Sequence, residues 1–91
     1  MNLVARRYVV RGRVQGVGFR AFVQQSAVRI GVRGYTRNLD DGSVEVYATG
    51  TSRQLSDLAA RLWTGPRFSD VRGVEEQEAA VQQYESFRIE A

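Results

Sequence analysis

Two stretches of this sequence repeat their apolar residues with the period of an α-helix, and each is flanked by stretches with the two-residue period of a β-strand. The first stripe, in a predicted helix over 19–30, consists of Phe19, Phe22, Val23, Ala27 and Ile30. The second, after a cap at Thr51 or Ser52, consists of Leu55, Leu58, Ala59, Leu62 and Trp63. Because each stripe gives its helix one apolar face, both helices must pack against another apolar layer.

Alternating segments supply that layer. Residues 5–12, 33–38 and 43–49 predict strands, and Asp41-Gly42 predicts a hairpin turn between the second and the third. In 43–49 the alternation assigns the valines and Ala48 to one face and Ser43, Glu45, Tyr47 and Thr49 to the other. A strand over 71–77 is expected despite its glutamates, which blur the alternation, and a short strand is expected over 87–89.

The predicted order is therefore β-α-β-β-α-β with a short extra C-terminal strand. This order is typical of an α+β fold, the ferredoxin-like two-layer sandwich, in which two helices cover one face of a mainly antiparallel sheet. Gly31 and Gly65-Pro66 are predicted to end the two helices. The length of 91 residues suits one domain, so we expect a single domain over 1–91.

Composition excludes several kinds of chemistry. The chain has no cysteine and no histidine, which rules out disulfides, thiolate nucleophiles, Cys-based zinc sites and a histidine base. All 13 basic residues are arginine, and the formal charge is +3. Arginine suits phosphate and carboxylate partners, although a general bias from lysine to arginine explains the same composition. The charge favours an anionic partner only weakly.

A glycine-rich segment, residues 12–18, lies between the first predicted strand and the first predicted helix. In that place, backbone N–H groups and the helix N-terminus can converge on an anion, and Arg20 in the first helical turn can grip phosphate oxygens. A Walker A loop is excluded because it needs a lysine, and a dinucleotide fold needs a long parallel unit that is absent. On the glycines alone, a plain strand-to-helix turn stays open.

Gly12-Arg13-Val14-Gln15-Gly16-Val17-Gly18-Phe19-Arg20 resembles the first signature of the acylphosphatase family. The stretch Gly31-Val32-Arg33-Gly34-Tyr35-Thr36-Arg37-Asn38 resembles the second, which supplies a catalytic asparagine, and similarity continues through 41–46 and 84–89. Two positions depart from the family pattern. Tyr35 stands where tryptophan is frequent, and Glu76 stands where an apolar residue is expected, which leaves the register of the fourth strand open.

The resemblance implies hydrolysis of an acyl phosphate to a carboxylate and inorganic phosphate, without a metal or cofactor. It assigns phosphate binding to Arg20 and to the backbone amides of Gln15, Gly16, Val17, Gly18, Phe19 and Arg20. It assigns the placement of the water to Asn38. Taken alone, Arg20 is one arginine among 13 and Asn38 is a common residue before a turn, so their combination at this spacing carries the assignment.

Two alternatives stay open at this stage. RNA-recognition modules share the fold order, but their third strand carries aromatic and basic residues, whereas 43–49 has one aromatic and one acidic residue. A carbamoyl phosphate-binding domain of a longer enzyme is the second alternative, and we expect instead a free-standing enzyme of 91 residues. We expect a cytoplasmic monomer that acts on a small acyl phosphate, binds neither nucleic acid nor membrane, and is inhibited by phosphate or sulfate.

Overall fold

The computed structural model of the protein describes residues 2–91. Its elements are β1 (Val4–Arg13), α1 (Phe19–Ile30), β2 (Arg33–Asn38), β3 (Val44–Gly50), α2 (Ser52–Thr64), β4 (Asp70–Ala79) and β5 (Phe87–Glu90). The strands form one sheet in the order β4-β1-β3-β2-β5. All neighbouring pairs are antiparallel except β2 and β5, which are parallel. The predicted ferredoxin-like sandwich, with its short extra C-terminal strand, is confirmed.

The ends of both helices follow from their capping residues. The N–H of Gly31 donates to the Ala27 carbonyl at 2.8 Å and ends α1 where the sequence predicts. Thr51 caps α2 because its hydroxyl accepts from the Gln54 N–H at 3.1 Å, while the Gln54 side chain accepts from the Thr51 N–H at 2.9 Å. Gly65 follows the last turn of α2, as predicted.

The core lies between the helices and one face of the sheet. It holds Tyr8, Val10, Phe19, Val23, Ala27, Val44, Val46, Leu55, Leu58 and Leu62 among its fully or nearly fully buried side chains. The prediction for Trp63 is wrong, since this residue is 53% exposed. Trp63 follows Leu62 by one residue and is therefore rotated about 100° around the helix, away from the sheet. Phe22 and Ile30 are partly buried at the border of the core.

Strand β3 is buried on both faces, contrary to the predicted polar face. Its outer face is covered by an aromatic cluster in which Tyr47 stacks on Tyr35 with ring centroids 5.6 Å apart, and Tyr84 lies 5.6 Å from Tyr47. The Tyr47 hydroxyl also donates to the Ala80 carbonyl at 2.6 Å. The segment before β5 therefore covers part of the sheet face that the helices leave open.

Glu45, also on the outer face of β3, is 3% exposed and is held between two arginines. Its carboxylate accepts from the Arg7 guanidinium and, at 2.5 Å, from the Arg37 guanidinium. Burial raises the pKa of Glu45, but the hydrogen bonds and positive charges of Arg7 and Arg37 outweigh this effect, so the pKa of Glu45 lies below its usual range. The two arginines therefore stabilise the charged carboxylate and join three strands.

Replacing Glu45 with glutamine is expected to lower the free energy of unfolding at pH 7 by about 1–3 kcal/mol, because two charge-assisted hydrogen bonds weaken. The depressed pKa gives the wild type stability that is fully present above about pH 5 and is lost as the pH falls through the folded-state pKa. Urea unfolding of both proteins between pH 7 and pH 3 checks this prediction. A difference between the two that does not narrow at low pH would contradict it.

Strand β4 is longer than predicted and lies at the edge of the sheet, which explains its exposed glutamates. Glu76 pairs with Tyr8 in the register, and its carboxylate accepts from Arg6 at 3.2 Å. The register shifts once, between Arg11 and Gly12 of β1. Because Glu76 is exposed and its carboxylate is paired with Arg6, an acidic residue stands at this position without burying an unpaired charge.

Candidate active site

A cavity of about 230 Å³ lies where the glycine-rich loop, the start of α1, the end of β2 and β5 come together. Its lining residues are Val14, Gly16, Gly18, Phe19, Arg20, Ala21, Asn38 and Ile89. A larger cavity of about 700 Å³ lies beyond the other end of β2, beside Arg33, Gln54 and Tyr84. The smaller cavity is the candidate site, because it brings together the glycine-rich loop predicted to bind an anion, Arg20 and Asn38.

The loop before α1 depends on two glycines. Gly16 and Gly18 have φ values of 74° and 77°, in the left-handed region that side chains with a Cβ rarely adopt. Gly18 is also the N-cap of α1, where no side chain accepts from the helix amides and no acidic residue lies in the first turn. The amide donors and the positive end of the helix dipole are therefore left for an anion in the cavity.

Arg20 projects from the first turn of α1 and is partly buried. One terminal N–H of its guanidinium donates to the Glu90 carbonyl of β5 at 2.9 Å. A guanidinium has five N–H donors, so this bond fixes the group and leaves donors for a phosphoryl oxygen. This contact with β5 could not be predicted from the sequence, because a backbone carbonyl gives no residue-specific signal.

Asn38 is the last residue of β2 and pairs with Val44 of β3. Residues opposite each other in an antiparallel pair have side chains on the same face, and Val44 belongs to the core, so Asn38 lies on the face that the helices cover. Within residues 2–91, Asn38 Oδ1 is the one buried side-chain polar atom without a hydrogen-bond partner. A buried acceptor left unpaired costs about 1–3 kcal/mol, so this atom can accept a hydrogen bond from a water or a ligand in the cavity.

The side chains of Gln15 and Val17 do not line the cavity. The Gln15 amide donates to the carbonyls of Leu39 and Ser43 at 2.8 and 2.9 Å, and Val17 packs partly buried against the core. Only backbone roles are predicted for these two residues from the sequence, and those roles stay predictions. The side-chain contact of Gln15 with the β2–β3 turn was missed.

No carboxylate side chain lines the cavity, and no three Asp or Glu side chains of residues 2–91 come together as a metal-ligand group. Neither helix in the described part of the chain is long and apolar enough to cross a membrane. The site can offer hydrogen-bond donors, a positive charge and a neutral amide, which suits binding of a phosphoryl group and orientation of a nucleophile.

Comparison with known proteins supports this interpretation. A family model described as Acylphosphatase matches residues 6–89. An acylphosphatase of Solibacter usitatus is 66% identical over 85 residues, which cover 93% of this chain and 88% of that protein.

Solved structures agree with the sequence comparison. An acylphosphatase from Coxiella burnetii matches with a TM-score of 0.94 and 35% identity, and covers 98% of this chain and 94% of its own. The acylphosphatase from Bacillus subtilis matches with a TM-score of 0.94 and 36% identity, and the match covers 97% of this chain and 99% of that chain. The chain therefore belongs to the acylphosphatase family and is a hydrolase of acyl phosphates.

Proposed function

We propose that Arg20 and the backbone amides of residues 15–20 bind the phosphoryl group of the acyl phosphate, and that Asn38 holds the attacking water. The observation that carries this proposal is the buried, unpaired Oδ1 of Asn38 in the same cavity as Arg20 and Gly18. Hydrolysis of benzoyl phosphate, measured beside a phosphate monoester, tests the reaction that this arrangement serves. Comparable rates on both substrates would contradict it.

The phosphoryl group is proposed to lie against the start of α1. There, uncapped amides and the helix dipole attract its negative charge, and the guanidinium of Arg20 supplies donors matched to two of its oxygens. The hydrogen bond from Arg20 to the Glu90 carbonyl reduces the conformational freedom that binding would otherwise remove. Because phosphoryl transfer has a loose transition state, positioning and electrostatic stabilisation supply most of the catalysis.

The water is proposed to donate one hydrogen to Asn38 Oδ1, which leaves an oxygen lone pair directed at the phosphorus. A bond forms between the water oxygen and phosphorus, and the bond from phosphorus to the acyl oxygen breaks with its electron pair. The departing carboxylate is weakly basic, so it needs no proton from a general acid. The proton of the water passes to a phosphoryl oxygen of the substrate, which accounts for a site without histidine.

We propose a single domain over 1–91, a monomeric state, a cytoplasmic location and a reaction without metal or cofactor. Nucleic-acid binding is disfavoured by the pairing of arginines on the outer sheet face. Arg7 and Arg37 bond Glu45, and Arg11 bonds Asp41 and Glu75.

Inorganic phosphate and sulfate are expected to inhibit competitively against benzoyl phosphate, because each presents tetrahedral oxygens to the same amides and to Arg20. Steady-state rates at several substrate and anion concentrations check this, with chloride at equal ionic strength as the control. A crystal grown in sulfate should hold the anion against residues 15–20. Noncompetitive inhibition, or an anion found only elsewhere on the protein, would contradict the assignment.

A further inference from the structure

Gln15 links the glycine-rich loop to the turn between β2 and β3. Its side-chain amide donates one hydrogen bond to the Leu39 carbonyl at 2.8 Å and another to the Ser43 carbonyl at 2.9 Å. The amide of glutamine has two N–H donors, so this side chain commits both of them to the turn. The side chain is partly buried, although it does not line the cavity.

The two carbonyls that Gln15 reaches are those that close the turn. The Leu39 N–H donates to the Ser43 carbonyl at 2.9 Å, and the Gly42 N–H donates to the Leu39 carbonyl at 3.2 Å. Each carbonyl therefore receives one bond from within the turn and a second from Gln15. Because Leu39 directly follows Asn38, the bonds from Gln15 determine how the end of β2 lies relative to the loop.

The side-chain oxygen of Asn38 is not held by a hydrogen bond. Oδ1 has no hydrogen-bond partner among residues 2–91, so the place of the amide depends on where its backbone lies. That backbone is held on one side by the pairing of Asn38 with Val44, and it continues into the turn that Gln15 holds. A shift of the turn would move Asn38 relative to the phosphoryl group, while the loop amides and Arg20 would keep their places.

We propose that Gln15 is a positioning residue for hydrolysis. By donating hydrogen bonds to the Leu39 and Ser43 carbonyls, its side chain holds Asn38 at the correct distance from the glycine-rich loop. The proposal rests on the proposed role of Asn38. The backbone and the side chain then have different functions. The backbone amides of residues 15–20 bind the phosphoryl group, whereas the Gln15 side chain positions Asn38, which holds the water. Gln15 would therefore affect turnover more than phosphate affinity.

The test is a double-mutant cycle of Gln15→Met and Asn38→Ala. Methionine keeps the length and approximate volume of glutamine but donates no hydrogen bond. We expect Gln15→Met to lower kcat roughly 10- to 100-fold, with a phosphate inhibition constant within about twofold of the wild type. In the Asn38→Ala background the same substitution should change kcat by less than about twofold, because there is no longer a side chain to position.

Two further variants keep the test decisive. Gln54→Met removes a bond to the Ile30 carbonyl and part of the α2 cap at the far end of β2, so it lowers stability without an expected change in kcat. Gln15→Asn retains the amide but is one methylene too short to reach both carbonyls, and it replaces Gln15→Met if that protein does not fold by circular dichroism.

Three results would overturn the proposal. They are an unchanged kcat in the Gln15 variant, an equal loss of kcat in both backgrounds, and a loss of phosphate affinity that accompanies the loss of kcat. An unchanged kcat in Asn38→Ala itself would instead refute the proposed function of Asn38. The single variants therefore distinguish failure of the positioning role from failure of the water-holding role.

Discussion

Arg20→Lys is expected to lower kcat/KM by on the order of 10³-fold while the protein stays folded. Lysine keeps the positive charge but lacks the planar guanidinium group that can donate hydrogen bonds to two phosphoryl oxygens at once. It also loses the geometry that allows one N–H to bond the Glu90 carbonyl while others face the cavity. Since negative charge is redistributed over the phosphoryl oxygens in the transition state, the lost bonds count most there, as in other sites built on positioned donors.

The matched control for this substitution is Arg29→Lys. Arg29 lies in the last turn of the same helix and is exposed, so its replacement should leave kcat/KM within about twofold of the wild type. Arg20→Gln should lose at least as much activity as Arg20→Lys, because it removes the charge as well. Native circular dichroism together with full activity in Arg20→Lys would refute the assigned role.

Asn38→Ala is expected to lower kcat by roughly 30- to 1000-fold, or about 2–4 kcal/mol, since the water loses its orienting acceptor. The free energy of unfolding of Asn38→Ala should not be lower than that of the wild type. The substitution removes a buried acceptor that has no partner within residues 2–91, and removing an unpaired buried polar group is neutral or stabilising.

This combination of lower turnover with undiminished stability separates a functional asparagine from one that only supports the turn. Steady-state kinetics and urea unfolding of Asn38→Ala measure the two quantities. Asn2→Ala, which changes the other asparagine of the chain at an exposed position, is the control. A loss of stability with unchanged kcat would indicate that Asn38 serves the turn alone.

Local sequence patterns predicted most of the fold, because the bounds of helices and the positions of turns depend mainly on residues that are near each other in the sequence. The stripe of α1 and the left-handed cap at Gly31 give the bounds of that helix. The Asp41-Gly42 turn sets the pairing of β2 with β3, which in turn places Asn38 opposite Val44. The mainly antiparallel sheet then follows from the order of the elements. The family signatures added the assignments of Arg20 and Asn38, and the structure brings both residues to one cavity.

Features that depend on distant parts of the chain could not be predicted. On the outer face of β3, Tyr47 is covered by Tyr84, which lies far along the sequence. Glu45 on the same face is held by Arg7 and Arg37 from two other strands. The carbonyl of Glu90 that holds Arg20 has no side-chain signature, and the two bonds of Gln15 need the register of the β2–β3 turn. Tertiary packing decides each of these, not local periodicity.

The most direct test of the central claim, that one set of groups holds the phosphate and Asn38 holds the water, is the phosphate inhibition constant of two variants. For wild type, Arg20→Lys and Asn38→Ala, the inhibition constant should be measured as competitive inhibition by inorganic phosphate of the hydrolysis that each protein still catalyses. We expect the phosphate inhibition constant of Asn38→Ala to stay within about twofold of the wild-type value, and that of Arg20→Lys to rise at least roughly 10-fold. Equal weakening in both variants, or none in either, would contradict it.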